Sequence, residues 1–219
     1  MLQLEPSSLR EPDEINESPY LGADGSRLPG TLYHLAQNEP TSGVVYQRIA
    51  NRLHELIDDV RGVWVDRDDK RELLTLYVTG RDGTNHPARS LSDGTLRFLA
   101  LAVLELDPNT GGVLCFEEPE NGIHPGRIPA ILQLLQDIAT DPQEPVDDTN
   151  PLRQVIVNTH SPALVAEVRA LFGDYPSRSD VRAYAEQFDW AETTRGQLEL
   201  FRRIKDGRAA TASTFTAPG

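Results

Sequence analysis

Apolar residues along this chain fall into two kinds of pattern. Short runs rich in them stand at residues 63–65, 73–78, 113–116 and 155–157, bounded by glycine, proline, asparagine or acidic residues, and these predict strands. Elsewhere the apolar positions recur every three or four residues, which predicts helices. Residues 28–37 read as a short helix with Pro29 near its start, where a missing N–H is harmless. Val45, Ile49, Leu53, Leu56, Ile57 and Val60 share one face of a second, which Thr41 or Ser42 is placed to cap. Residues 91–106 run from a polar glycine turn directly into a third, and Ile128, Ile131, Leu134, Leu135 and Ile138 line a fourth at about 126–139.

The order of these elements separates two regions. Strands 63–65 and 73–78, joined by the charged DRDDKR, predict a hairpin, and Asp66 to Asp68 read as part of its turn. From Gly111 onward a strand, a helix, the proline-rich acidic loop 141–150 and another strand alternate as a parallel α/β sheet requires. Residues 2–4 suggest a short strand, followed by a polar surface excursion through Arg27. The stretches LGADGSRLPG and TGRDGTNHP read as turns. Toward the carboxyl terminus, residues 181–184 suggest a strand and 197–204 a helix, within a small extension at 171–206, and 207–219 read as a disordered tail.

Two strands end in chemistry. Val113 to Phe116, expected to be covered on both faces, leads straight into Glu117 and Glu118, and Pro119 stops its extension. In open α/β sheets ligands bind outside the carboxyl ends of the strands. A bare pair of glutamates is ordinarily solvated surface, so the surroundings decide. Upstream lies LSDGTLRFLALAVLEL, and downstream RQVIVNTHSP delivers His160 from the end of a second strand. Alone, the SDG sequence is an ordinary helix cap and a single histidine is ordinary filler.

The ordered trio LSDGT, EEPENGIHP and THSP resembles the signature loop, Walker B strand with its D-loop, and switch histidine of ABC-type ATPases. It is most similar to AAA-family members of that superfamily related to the SMC, RecF and overcoming-lysogenization-defect proteins. The resemblance covers about residues 2–167. It implies a partial P-loop NTPase fold of the α/β class, a mostly parallel sheet flanked by helices, with a helical and β insertion bearing the signature. Residues 1–170 would be the carboxyl-terminal portion of such a domain, divided into a signature-bearing region at 28–110 and a Walker B, D-loop and switch-histidine region at 111–170.

Residue by residue, the resemblance implies that Ser92 and Gly94 contact the γ-phosphate of ATP across a dimer interface. Glu117 matches the position that binds Mg2+, where aspartate is usual, and Glu118 matches the general base. His160 matches the switch histidine. Asn121 and Gly122 fall in the D-loop that passes between subunits, and His124 takes a turn or interface role. Asp93 departs from the commoner second glycine of the signature and sets an acid near an anion. Arg97 is open to contact with phosphate or with an acid nearby, and equally to pairing on the helix surface.

One part of that machinery is missing from the motif set. A P-loop needs G-x-x-x-x-G-K-[ST], whose backbone N–H groups and lysine hold the phosphates. The two lysines here, Lys70 and Lys205, stand in DKR and IKD and complete no such motif. The expected function is therefore ATP binding and hydrolysis as half of a site, completed by a Walker A-bearing segment or partner in a homo- or heterodimer. A truncated, non-catalytic remnant or interaction module is the alternative. A nuclease of the TOPRIM kind is disfavoured, because no D-x-D follows His160.

Composition narrows the surroundings. A net charge of −13 argues against a basic nucleic-acid-binding surface. No window approaches the roughly twenty apolar residues of a membrane span, and no basic-then-apolar leader is present, so a cytoplasmic location is expected. The single cysteine, Cys115, lies within an apolar strand, which predicts a small buried hydrophobe rather than a reactive thiol and leaves no intrachain disulfide.

Overall fold

The computed structural model describes residues 2–15, 20–38, 42–147 and 150–171. These belong to the first of two compact units, Met1–Leu171; the second, Phe172–Gly219, lies outside the described residues, and with it the expected elements at 181–184 and 197–204 and the tail.

Helix α4, Asp93–Leu106, lies at the centre of the first unit. Leu96 and Phe98 through Val103 are completely buried along it, so this apolar stretch of the helix is enclosed on every side, as a helix segment apolar all round must be. Helices α1 (Pro6–Leu9), α2 (Leu28–Asn38), α3 (Ser42–Leu56) and α5 (Ile128–Ile138) pack around α4. Arg52 of α3 ties three of them together. It grips the Glu105 carboxylate of α4 with Nε at 2.9 Å and a terminal nitrogen at 2.6 Å, and reaches Asp137 of α5 at 2.5 Å. A forked guanidinium suits this double contact where an ammonium would not.

The larger sheet is antiparallel and contains β1 (Asp13–Glu14), β2 (Val60–Asp68), β3 (Leu73–Gly80) and β4 (Asn85–Pro87). β2 and β3 form the expected hairpin, although β2 continues through Asp68, so Asp66 to Asp68 lie in the strand and Asp68 caps the turn through the N–H groups of Lys70 and Arg71. Leu74, Leu76 and Val78 alternate into the core, and Trp64 stacks on its cross-strand neighbour Tyr77 with ring centres 4.8 Å apart. The expected surface excursion through Arg27 is more structured than its composition suggests: it holds α1 and β1, and Leu9 and Asp13 are buried.

The parallel part is small. β5 (Gly112–Glu117) pairs with β6 (Arg153–Asn158) in register from Gly112 opposite Arg153 to Glu117 opposite Asn158, with α5 as the crossover. Leu2 adds a single parallel bridge to Phe116, which is all that appears of the strand expected at residues 2–4. After β6, α6 spans Pro162–Leu171. The expectation of a mostly parallel sheet is thus corrected: the sheets are mixed, and antiparallel pairing is the larger share. The short turn between β2 and β3 permits only antiparallel pairing, whereas the β5–β6 link is long enough for a crossover. The coverage expected for β5 is corrected too. Leu114 and Phe116 are buried, but Val113 is 59% exposed, and Ile156, opposite Cys115 in β6, is 50% exposed.

β6 is anchored at its start by Arg153, which is buried. Its guanidinium donates to the carbonyls of Thr110 at 2.6 Å, Glu105 at 3.1 Å and Asp107, closing the carboxyl end of α4. Burial lowers its pKa, with Asp107 and Glu105 opposing the shift. Replacing Arg153 with methionine strands these carbonyls and should cost about 2–4 kcal/mol in chemical denaturation, with Arg153→Lys recovering only part of it. At the other end of α4, a Cβ on Gly94 would lie 2.3 Å from the Gly122 carbonyl oxygen and 3.0 Å from Ile123 Cγ1. Gly94→Ala should therefore destabilise by about 1–3 kcal/mol, read in the same denaturation experiment, while Gly43→Ala, which meets nothing, should not.

Candidate functional site

β5 and β6 end side by side, and the sequence-predicted acids and histidine meet there. Glu117 is exposed at the last position of β5. Glu118 follows with φ of 45°, a left-handed conformation uncommon for a residue with a side chain. Its N–H donates to the Asn158 carbonyl at 2.8 Å, extending the parallel pairing by one bond, and its carbonyl accepts the Asn121 N–H at 2.9 Å, closing the turn. The Glu118 Oε1 atom contacts His160 Nδ1, an ion pair whenever the imidazole is protonated. The His160 side chain is 84% exposed and that of Glu118 32%, so the pair is open to a ligand.

The turn carries a third carboxylate that the sequence did not single out. Glu120 is buried, and its Oε1 accepts a hydrogen bond from the Thr159 hydroxyl. It lies within EEPENGIHP, but nothing local marks it as buried, because its burial depends on a strand that begins more than thirty residues later.

The signature residues pack against the other side of the same turn. Ser92 is exposed and caps α4, its Oγ accepting the Thr95 N–H at 3.2 Å and lying 2.7 Å from Thr95 Oγ1. Gly94 is buried beneath Gly122, whose φ is +80°, so Ser92 is the member of the pair presented to solvent. Ser92, Gly94, Gly122, His124 and Arg127 line part of a cleft of about 210 Å³. Arg97 donates to the Asn121 carbonyl at 2.8 Å and the Leu4 carbonyl at 3.0 Å, fixing the turn at residues 118–122 to the amino-terminal segment. Asp93 is partnered by Arg10 at 2.5 Å, which also reaches the Leu91 carbonyl at 3.1 Å, so the acid in the signature does not stand alone. His124 plays the expected turn role, its Nδ1 accepting the Gly126 N–H at 3.1 Å.

The donor set decides what this site is suited to hold. Among the described residues no cluster of three or more histidine, cysteine, aspartate or glutamate side chains could enclose a metal ion. Mg2+ does not need one, since it is commonly held by one or two carboxylates together with substrate phosphates and water. Glu117 fits that role. A phosphate cradle is not supplied by these residues: Lys70 sits in the turn after β2, and Lys205 lies outside the described residues. Among the described residues no helix is long and apolar enough to cross a membrane.

A family model described as "AAA domain, putative AbiEii toxin, Type IV TA system" matches residues 15–166. No curated protein matches the sequence. Solved structures similar to the chain include the Smc head domain with an extended coiled coil bound to the C-terminal domain of ScpA from Pyrococcus furiosus, at 8% identity and TM-score 0.39, covering 55% of this chain and 29% of that one. A structure titled for ATP-driven dimerization and DNA-stimulated activation of SMC ATPases matches at 10% identity and TM-score 0.40, covering 55% and 70%. The Smc head domain with a coiled coil and joint from Pyrococcus yayanosii matches at 10% identity and TM-score 0.38, covering 55% and 22%. The chain thus spans less than a third of the first of these, and likenesses this distant carry no functional argument. The family match covers more than half of the sequence and includes all three motifs, and the chain belongs to this ATPase-related family of AAA domains.

Proposed function

We propose that this chain supplies the signature, Walker B and switch half of an ABC-type ATP-binding and hydrolysing site, completed by a Walker A-bearing segment or subunit. The observation that carries the reading is the juxtaposition of Glu117, Glu118 and His160 at the carboxyl ends of two adjacent parallel strands. Glu117 would hold Mg2+ through its water shell. Bound there, the ion would offset charge on the phosphates. Glu118 orients and partly deprotonates the attacking water, and His160 exchanges its contact with Glu118 for the γ-phosphate. Ser92, with Gly94 behind it at the positive end of α4, addresses the nucleotide of an opposing subunit. Asn121 and Gly122 lie at the interface between the two.

The exposed face of the parallel pair supports completion by another segment. Parallel sheets are ordinarily covered on both faces, yet Val113 and Ile156 face solvent, and among the described residues no strand pairs with β6 other than β5. The acidic composition favours a protein partner over direct nucleic-acid contact. A non-catalytic interaction module is the second reading, favoured by the absence of a P-loop lysine.

Magnesium-dependent ATP turnover should be at background for the purified chain and appear when a Walker A-bearing partner polypeptide is added; silence in both would favour the interaction module. In the active mixture Glu118→Gln should lower kcat by about 10²–10⁴-fold while nucleotide binding, followed by fluorescence of a labelled ATP analogue, is retained. Unchanged turnover would remove Glu118 from the role of base.

A further inference from the structure

Glu120 is 7% exposed, although the acids just before it in the same turn open to solvent. Its Oε1 accepts the Thr159 hydroxyl hydrogen, and Thr159 immediately precedes His160. The Thr159 Oγ1 also accepts the Ser161 N–H at 2.9 Å, and the Ser161 carbonyl accepts the Val165 N–H at 3.1 Å in the first turn of α6. One hydroxyl therefore fastens the segment carrying His160 to the turn carrying Glu118. Alongside it runs the backbone hydrogen bond from Glu118 N–H to the Asn158 carbonyl, at 2.8 Å.

The second Glu120 oxygen, Oε2, is buried without a hydrogen-bond partner among the described residues. Buried polar groups are nearly always satisfied, and an exception invites a functional explanation. A residue serving packing alone would be better apolar, because desolvating a carboxylate is expensive. What a carboxylate provides here is a charged acceptor for a hydroxyl, a bond stronger than a neutral one.

We propose that Glu120 is a positioning residue: through the Thr159 hydroxyl it sets the place of His160 relative to Glu118. The proposal rests on the reading of Glu118 and His160 as working partners, but its structural half can be tested without nucleotide. Neither Glu120 nor Thr159 touches the reacting atoms in this scheme. Loss of the tether should slow the chemical step and leave ATP affinity alone.

The test follows the His160 imidazole by NMR in the full 219-residue chain without partner or nucleotide, with the Glu118→Gln chain as the reference for an altered pair. Thr159→Val removes one hydroxyl at nearly constant volume, and should move the His160 signals from their wild-type positions toward that reference. Thr159→Ser should restore them, and Glu120→Ala should match Thr159→Val. The signals of His86 and His124 report whether the fold has survived; if Glu120→Ala disturbs them, the comparison of Thr159→Val with Thr159→Ser carries the test. In the completed ATPase, Thr159→Val should lower kcat about 10- to 100-fold with KM for ATP unchanged. His160 signals unmoved in Thr159→Val, or serine no better than valine, would overturn the proposal. If no partner yields ATPase activity while the His160 signals respond as expected, the tether stands and the hydrolytic reading is what fails.

Discussion

The register of β5 on β6 is the constraint on which the site depends. Side chains of a strand alternate between faces, so a slip of one residue would turn Leu114 and Phe116 outward and Val113 and Cys115 inward. Phe116 is 2% exposed and resists that slip, since burying a phenylalanine contributes about 1.5–3 kcal/mol. At the opposite end Arg153 fixes where β6 begins by binding carbonyls at the end of α4. With both ends pinned, Glu117 must lie opposite Asn158, and Glu118 and His160 emerge within contact of one another. Ordinary core packing thus sets the geometry of groups that contribute nothing to the core.

The turn at residues 118–122 transmits that geometry to the signature helix. Asn121 is held by Arg97, Gly122 seats on Gly94, and Glu120 holds Thr159. The chain makes a close backbone contact in which neither partner tolerates a side chain easily: Gly94 for lack of space, Gly122 for its positive φ as well. Glu118, which contacts His160, and Ser92, which caps α4, are therefore fastened to opposite sides of one short segment. A displacement at either end is resisted by packed atoms, and the hydrogen bonds to Arg97 and Thr159 are the more adaptable links.

The sequence foretold most clearly what is encoded locally. The cap at Ser92, the apolar period of α4, the abrupt stop of β5 at Pro119 and the hairpin of β2 and β3 depend on neighbouring residues, and each was readable. The mixed character of the sheets was less so, because an unbroken apolar run is the same whether one face of a strand is covered or both. Val113 and Ile156 look like buried residues in the sequence and are exposed in the fold. Arg10 beside Asp93, Arg97 beneath Asn121 and Glu120 under Thr159 were invisible for another reason: each pairs groups from distant segments, with no period or motif linking them. The sequence placed two acids and a histidine at strand ends, but not the contact between Glu118 and His160.

On the proposed reading, the same arrangement bears on how such a half-site would recruit what completes it. The helices around α4 share one continuous core with β2, β3 and the inner face of β5, so the unit has a source of stability apart from the exposed face that carries Val113 and Ile156. That face offers Val113 and Ile156 to a partner, and covering each more fully would yield at most about 1.5–3 kcal/mol. Beside it, Glu117 and Glu118 oppose the approach of any further negative group, including a triphosphate, unless a cation arrives with it. In the proposed assembly the apolar face favours docking of the partner and the acids favour docking of a cation-bearing nucleotide. A partner carrying the phosphate cradle would then be bound more tightly when nucleotide and magnesium are present, and nucleotide more tightly when the partner is, since such coupling is reciprocal. The arrangement that leaves the isolated chain short of a phosphate site would, on this reading, make assembly and nucleotide binding a single event.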